Sequence, residues 1–464
     1  MRNSPNLSKV GQLRLTPSAI AFSAAVLFAL VGLWLLWPTA MYAAAVGGAL
    51  VLPRRTLPAF ALTLLVLLPV GFMSIPVILG DFLSPAVVVV AIWMIRIASA
   101  DRMTRLVRQP IRGGLVAGSL LALLFASSVF SDRKELTAAW MAVFLICVIA
   151  PAILGQVSVD DVWPAVRRTF AVIGMFLGCL ALSDYLLHLN PWTQFYVRPY
   201  EISRGFRAGT SLGHPLTTSL VASVAALVCI FPSGATRRWP YRFGAAGALI
   251  ALMLTVSRGG ILAVGTGVVV GLLPALLRGG AQGRRRGRGA SLMPLVVAAV
   301  ALAGLALSPL LKDRSASSVG TSSAIYRSAV VQNAMKIIAE RPILGFGPGT
   351  SERIYGMAYG RYGSLENSAF QLMVSMGVPA FLLLSVGFGA VIVSALGVSR
   401  VGAAAGIASF LVSVAGFNLI DTGPAFFALI SPLIVCAVMP CLNPARNQDL
   451  PPGLELQSEG ARPG

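Results

Sequence analysis

Two histidines, His188 and His214, are the chain's whole stock of imidazoles, so the surroundings of each narrow any acid–base chemistry near neutral pH. His214 closes the run Arg204-Gly-Phe-Arg207-Ala-Gly-Thr-Ser-Leu-Gly-His214-Pro, where two arginines lead through a glycine-bearing turn into an apolar segment. A guanidinium is a planar fork that grips two oxygens of a phosphate or diphosphate at once, and a neighbouring imidazole can move a proton. The plainer reading of these arginines is contact with lipid phosphates or with helix ends. His188 ends an apolar segment before Leu189, Asn190 and Pro191 and reads as an interfacial residue. Arg258, in Ser257-Arg258-Gly-Gly260, separates two apolar runs with no other loop, where a charge is costly and therefore points to function. Its bland alternative is an arginine snorkelling to the interface. Glu366-Asn367 opens a further apolar run; its carboxylate reads as a base, as an arginine's partner, or as a negative charge suited to a helix N-terminus. Asp421 reads as a turn residue.

These side chains must be held by a chain of 464 residues that is 56% hydrophobic and 11% charged, with a mean hydropathy of +0.82. Soluble domains carry about 25% charged residues, so the composition excludes a string of soluble domains and predicts an all-α polytopic integral membrane protein. Apolar runs matched to a hydrocarbon core of roughly 30 Å give about 12–14 transmembrane helices. They lie near 18–37, 39–52, 57–79, 83–99, 114–130, 138–154, 169–187, 215–231, 243–257, 259–277, 291–310, 367–396, 401–420 and 424–441. The 36 Lys plus Arg against 16 Asp plus Glu would suggest nucleic acid in a soluble chain, but here they read first as an orientation signal. With a tail at 1–17 in the cytoplasm, counting crossings places Arg54 and Arg55, Arg102 to Arg112, Arg167 and Arg168, Arg237 to Arg242, Arg278 to Arg288 and Arg400 on the same inner side. Both termini are then cytoplasmic, and 443–464 reads as a disordered cytoplasmic tail after a single membrane domain at 18–442. The five cysteines show no C-x-x-C spacing, which indicates neither a disulfide framework nor a zinc site.

Two loops break the charge pattern. External loops 188–213 and 311–365 are both cationic, and the second carries Lys or Arg at 312, 314, 327, 336, 341, 353 and 361. Long loops translocate largely regardless of charge, so topology permits these cations without explaining them; a bound anion explains them. Within the longer loop, Ser322 and Ser323 cap a helix predicted from Ala324 to Glu340. Tyr326, Val330, Ala334 and Ile337 share one face of it, while Arg327, Gln332 and Lys336 are polar, which predicts an amphipathic helix along the outer membrane interface. Pro342 ends it. In Gly345-Phe-Gly347-Pro-Gly349 the backbone can approach a ligand closely; no strand precedes it, so a dinucleotide loop is rejected.

In this order and on one side of the membrane, four features resemble the O-antigen ligase and O-antigen or exopolysaccharide polymerase superfamily of bacterial envelope glycosyltransferases. They are Arg207-Ala-Gly209 leading to Gly213-His214-Pro215, Thr255-Val-Ser-Arg-Gly-Gly260, the Tyr326-Arg327 helix running to Arg341-Pro-Ile-Leu-Gly-Phe-Gly-Pro-Gly349, and Glu366-Asn367 with Gly377 beyond. The resemblance covers about residues 200 to 400. It implies transfer of a glycan from an undecaprenyl-diphosphate carrier to a sugar hydroxyl at the outer face of the bacterial plasma membrane, with no metal, nucleotide or other cofactor. Arg204 or Arg207, with Arg258 and Arg327, would hold the donor's diphosphate, and Arg341, Gly345, Gly347 and Asn367 are also among the substrate-binding positions. A base would take the acceptor's proton, giving inversion. The family has His-Asn where Glu366-Asn367 stands here. Glutamate serves as a base in inverting glycoside chemistry, so either Glu366 or His214 fills the role or this branch has a different acceptor, and Gly-His-Pro is similar to the exopolysaccharide-polymerase branch. The implied partners are the lipid-linked donor, a glycan or lipid-linked acceptor, membrane lipids and, by analogy, a chain-length regulator, with no nucleic acid. The competing class is a lipid-linked oligosaccharide or polysaccharide transporter or flippase. Such proteins show related halves and broken helices, whereas here no matching halves are seen and the polar chemistry gathers in two loops. A catalytically inactive scaffold is the third reading, kept open by Glu366.

Overall fold

The computed structural model describes residues 38–68, 83–98, 113–158, 161–192, 207–231, 239–277, 318–360, 365–398, 400–416, 420–421 and 423–439. The expected spans near 18–37 and 291–310, both tails and Arg204 lie outside them, as do the side chains of residues 318–327. Among the described residues the regular structure is entirely helical. In chain order the helices are α1 (Pro38–Val51), α2 (Leu57–Leu67), α3 (Pro85–Ile97), α4 (Gly114–Val129), α5 (Lys134–Val157), α6 (Trp163–Leu187), α7 (Pro215–Ile230), α8 (Trp239–Thr255), α9 (Arg258–Leu277), α10 (Ser318–Glu340), α11 (Ser351–Tyr359), α12 (Ser368–Gly397), α13 (Val401–Ala415) and α14 (Phe427–Val438). The all-helical membrane protein expected from composition is borne out. By length and hydropathy, α5, α6 and α12 suffice to cross a membrane, while the other apolar helices run 10–17 residues.

The centre of the bundle is α7, whose side chains from Thr218 to Val228 are fully buried. A helix that is apolar all round belongs in a core, and its few hydroxyls are satisfied locally, Ser219 Oγ donating to the Leu216 carbonyl and Ser223 Oγ to that of Leu220. Close packing around it depends on small residues, the usual device where lipid offers no hydrophobic drive between helices. A Cβ on Gly174 of α6 would stand 2.1 Å from the Gly244 carbonyl oxygen of α8, and one on Gly178 would stand 2.5 Å from Gly247 Cα. The buried run Ala403-Ala404-Ala405 lets α13 approach α9, where a Cβ on Gly267 would meet the Ala405 carbonyl at 2.9 Å.

Helix α10 begins at Ser318, six residues before the expected Ala324, so Ser322 and Ser323 lie inside it. Its apolar face is spent on the protein: Val330, Ala334, Ile337 and Ile338 form a small second core with Tyr355 of α11, Leu365 and Val374 of α12. The α12 helix is broken at Gly377, which takes φ 79° and ψ 164° two residues before Pro379.

Contacts sort the chain into two ends. At one, Arg54 donates to the Arg96 carbonyl, Arg96 to that of Leu52, Arg400 pairs with Asp161 and donates to the Cys436 carbonyl, and Gly402 meets Phe231 and Trp163. At the other lie the Arg207–His214 turn, the α8–α9 turn, the start of α12, the α13–α14 turn and the α4–α5 turn.

Candidate functional site

Two turns built under backbone strain meet where α7 and α9 begin. Thr210 and Val256, both β-branched, take φ 48° and 51°, a region such residues occupy only when their surroundings over-determine it; strained residues of this kind cluster at functional sites. The surroundings here are explicit. Ala208 N–H donates to the Leu254 carbonyl (3.0 Å) and Arg207 Nε to that of Thr255 (2.9 Å), tying the first turn to the second. Thr218 Oγ1 donates to the Gly209 carbonyl (2.7 Å) and Asn190 Nδ2 to that of Thr210 (3.1 Å), the Asn190 side chain also bonding Asp184 of α6. Ser257 Oγ stands 3.1 Å from Ser219 Oγ and accepts from Gly260 N–H (3.2 Å), so capping α9.

This frame fixes three of the expected residues. Arg207 is half-buried, its Nε committed to Thr255. Arg258 is exposed at the first position of α9, and among the described residues no hydrogen bond or ion pair holds its guanidinium. His214 caps α7, its Nδ1 accepting from Leu216 N–H at 3.2 Å. That bond leaves the imidazole proton of a neutral ring on Nε2. Crowding by the surrounding chain and, second, the Arg207 charge lower the His214 pKa from 6.5 to about 4. The ring is therefore neutral at pH 7, with the Arg207 charge beside it. With the starts of α7 and α9 adding their partial positive charge, this end of the bundle favours an anion.

The second group lies around the start of α12. Asn367 caps it, Oδ1 accepting from Ala369 N–H (2.9 Å) and Phe370 N–H (3.3 Å), and half-buried Glu366 precedes the cap. Gly345 and Gly347 are packed against the chain itself. Phe346 N–H donates to the Val374 carbonyl, Gly347 N–H to that of Ser375 and Val378 N–H to that of Pro342. A Cβ on Gly345 would stand 2.4 Å from the Ser375 carbonyl oxygen, and one on Gly347 would stand 2.2 Å from Ser131 Oγ. The close approach these glycines allow is thus to the α12 break and the α4–α5 turn. Arg341 is exposed, its guanidinium 4.8 Å over the Phe346 ring and 4.0 Å from Asp132. Arg327 lies on α10, and Arg204 lies outside the described residues.

Asp421, expected as a simple turn residue, sits in the α13–α14 turn but is fully buried. Its carboxylate accepts from Gly349 N–H (2.9 Å), Ser351 N–H (3.0 Å), Ser351 Oγ and Ser375 Oγ (2.7 Å). Burial raises its pKa, and these four donors oppose that shift. Next to it, Ile420 N–H donates to Ser368 Oγ (3.4 Å) and the Ile420 carbonyl accepts from Trp140 Nε1 (3.1 Å). The α13–α14 turn therefore pins the glycine loop, the α12 break and the α12 start together. The sequence held one signal for it: between Val401 and Pro444, Asp421 is the lone charge in an apolar stretch. The two groups connect through α13, where a Cβ on Gly416 would lie 4.0 Å from Gly259 Cα, beside Arg258.

Residues 243–385 match the family model described as O-Antigen ligase. The match runs from α8 through α12 and takes in the α8–α9 turn, α10, the glycine loop and Glu366-Asn367, leaving the Arg207–His214 turn and the α13–α14 turn outside. No curated protein matches the chain. Residues 243–385 thus carry a stretch similar to the O-antigen ligase family, in keeping with the resemblance, in a chain whose long apolar helices are those of an integral membrane protein.

Proposed function

With that match as premise, we propose that the protein polymerises or ligates polyprenyl-diphosphate-linked oligosaccharide repeat units at the outer face of the bacterial plasma membrane. The observation that carries the reading is the joining of Arg207 and Arg258 by two strained turns at the starts of α7 and α9. In this reading the donor's diphosphate rests on the exposed Arg258 fork, with Arg207 and the two helix starts adding positive charge and His214 Nε2–H donating to an oxygen. The acceptor hydroxyl attacks the anomeric carbon as the bond to the diphosphate breaks, and the leaving electron pair is met by charges already in place. A proton must go elsewhere. His214 is poorly suited to take it, because Nδ1 is occupied and Nε2 already carries hydrogen. Glu366, at the mouth of the α12 cap, is the better base. Attack opposite the leaving group inverts the anomeric centre, and guanidinium groups do here what a metal ion does in other transferases.

The test is a chromosomal deletion in the host, scored for long-chain surface polysaccharide and for the side of the membrane on which lipid-linked repeats collect, with complementation by wild type, Arg258→Ala and Glu366→Ala. Expected is loss of polymer with repeats stranded at the outer face, restored by wild type alone. Repeats trapped on the cytoplasmic face would instead make the protein a flippase.

A further inference from the structure

Beyond the glycine loop from Asp421, the turn between α4 and α5 opens into a depression of about 630 Å³, within the roughly 300–1,000 Å³ of small-molecule sites. Its walls are Phe130, Asp132, Arg133, Lys134, Glu135 and Arg353. The five charged side chains are exposed, and the Phe130 ring is 63% exposed. None of the six belongs to the groups described above, apart from the weak pairing of Asp132 with Arg341.

The mixture is specific. Two carboxylates accept hydrogen bonds, three cations donate them, and an aromatic ring offers an apolar face. A sugar ring presents the same mixture in reverse: hydroxyls that donate and accept around its rim, and an apolar C–H face. A phosphate or lipid headgroup would use the cations alone and bring its charge against Asp132 and Glu135.

Position adds a second argument. The α13–α14 turn ties the depression to the start of α12: Ile420 N–H donates to Ser368 Oγ, Asp421 accepts from Gly349 N–H, and Gly347 lies on Ser131 at the edge of the depression. Glu366 precedes Ser368 by two residues and so opens the helix that this turn ties to the depression. An acceptor glycan several sugars long that reaches the α12 start has this depression on the same end of the bundle to hold a further ring. We infer that the α4–α5 depression is a binding subsite for a saccharide of the acceptor glycan, a step that rests on the transferase reading above.

The experiment uses the full chain in nanodiscs and, as probe, the host's repeat-unit oligosaccharide freed from its diphosphate by mild acid, with binding followed by saturation-transfer NMR. Phe130→Ala and Glu135→Gln should each weaken binding about tenfold, the loss of one good contact. The KM for added oligosaccharide should rise by the same factor, while the KM for lipid-linked donor stays within about twofold. Arg353→Gln, a milder change, guards against a variant that fails to fold, and unchanged unfolding midpoints check all three. Wild-type binding of the probe in all three variants overturns the subsite. If wild type transfers nothing yet binds the probe, and Phe130→Ala does not, the transferase reading fails and the subsite stands.

Discussion

Arg207 and Arg258 differ in what their guanidinium groups have left to offer. Arg207 holds two turns together through Nε, whereas Arg258 keeps its fork open to solvent at a helix start. Arg258→Lys should therefore fold normally yet lower the rate of glycan transfer by about a hundredfold, because a point charge does not reproduce two parallel bonds to a diphosphate. Full activity in that variant would remove Arg258 from the site. His214 makes a prediction by its pKa. Folding lowers that value from 6.5 to about 4, so between these limits the unfolded chain binds more protons than the folded one. Stability should be full above pH 6.5 and fall as pH drops through this window towards 4. A His214→Gln variant should lose that part of the slope in unfolding midpoints taken from pH 7 to 4. Asp421 was hidden by its ordinary place in a short turn, because nothing local says that its four donors come from residues 349 to 375. Asp421→Ala strands the Gly349 and Ser351 N–H groups and should cost about 2–4 kcal/mol, read as a lowered unfolding midpoint. An unchanged midpoint would show that water replaces the carboxylate.

Helices were legible as apolar runs, but their ends were less so wherever a charge was taken as a break. Lys134 and Glu135 stand in the first turn of α5, and Arg167 lies within α6. Arg167 is tolerated there because its guanidinium stacks 4.1 Å over Tyr241 of α8, a pairing from 74 residues away that no local pattern announces. The face of α10 was read correctly as apolar at Val330, Ala334 and Ile337, but its burial partners, Tyr355, Leu365 and Val374, lie on later elements. Periodicity gives the face of a helix without saying whether lipid or protein covers it. The α12 break shows the same limit. Gly377 was noticed as part of a motif, and its role follows from Ile343: a Cβ there would stand 2.1 Å from that carbonyl oxygen. Gly377→Ala must both give up φ 79° and push the glycine loop away, which should destabilise the protein by about 1–3 kcal/mol and slow transfer through Glu366. The same midpoint measurement, paired with a transfer assay, checks both. An active variant would mean that the loop moves without disturbing the α12 start.

At the scale of the molecule, the order of residues along the chain says little about which site residues meet, yet their division between two ends was readable from charge. Every described arginine assigned to the cytoplasmic side by counting crossings, from Arg54 to Arg400, falls at one end of the bundle, and Arg207, Arg258, Arg341 and Arg353 fall at the other. The reason is physical: a cation crosses the hydrocarbon core only at high cost, so each helix sorts its arginines to its ends, and an even count of crossings returns them to the same side. What charge does not fix is which end faces out. Impermeant maleimide labelling decides it, with single cysteines placed in a background from which the native cysteines have been removed. Arg55→Cys and Lys134→Cys are both exposed positions, one at each end. Lys134→Cys should label in intact spheroplasts and Arg55→Cys only after lysis. The reverse pattern would put the arginine pair in the cytoplasm and would end the proposed outer-face function with it.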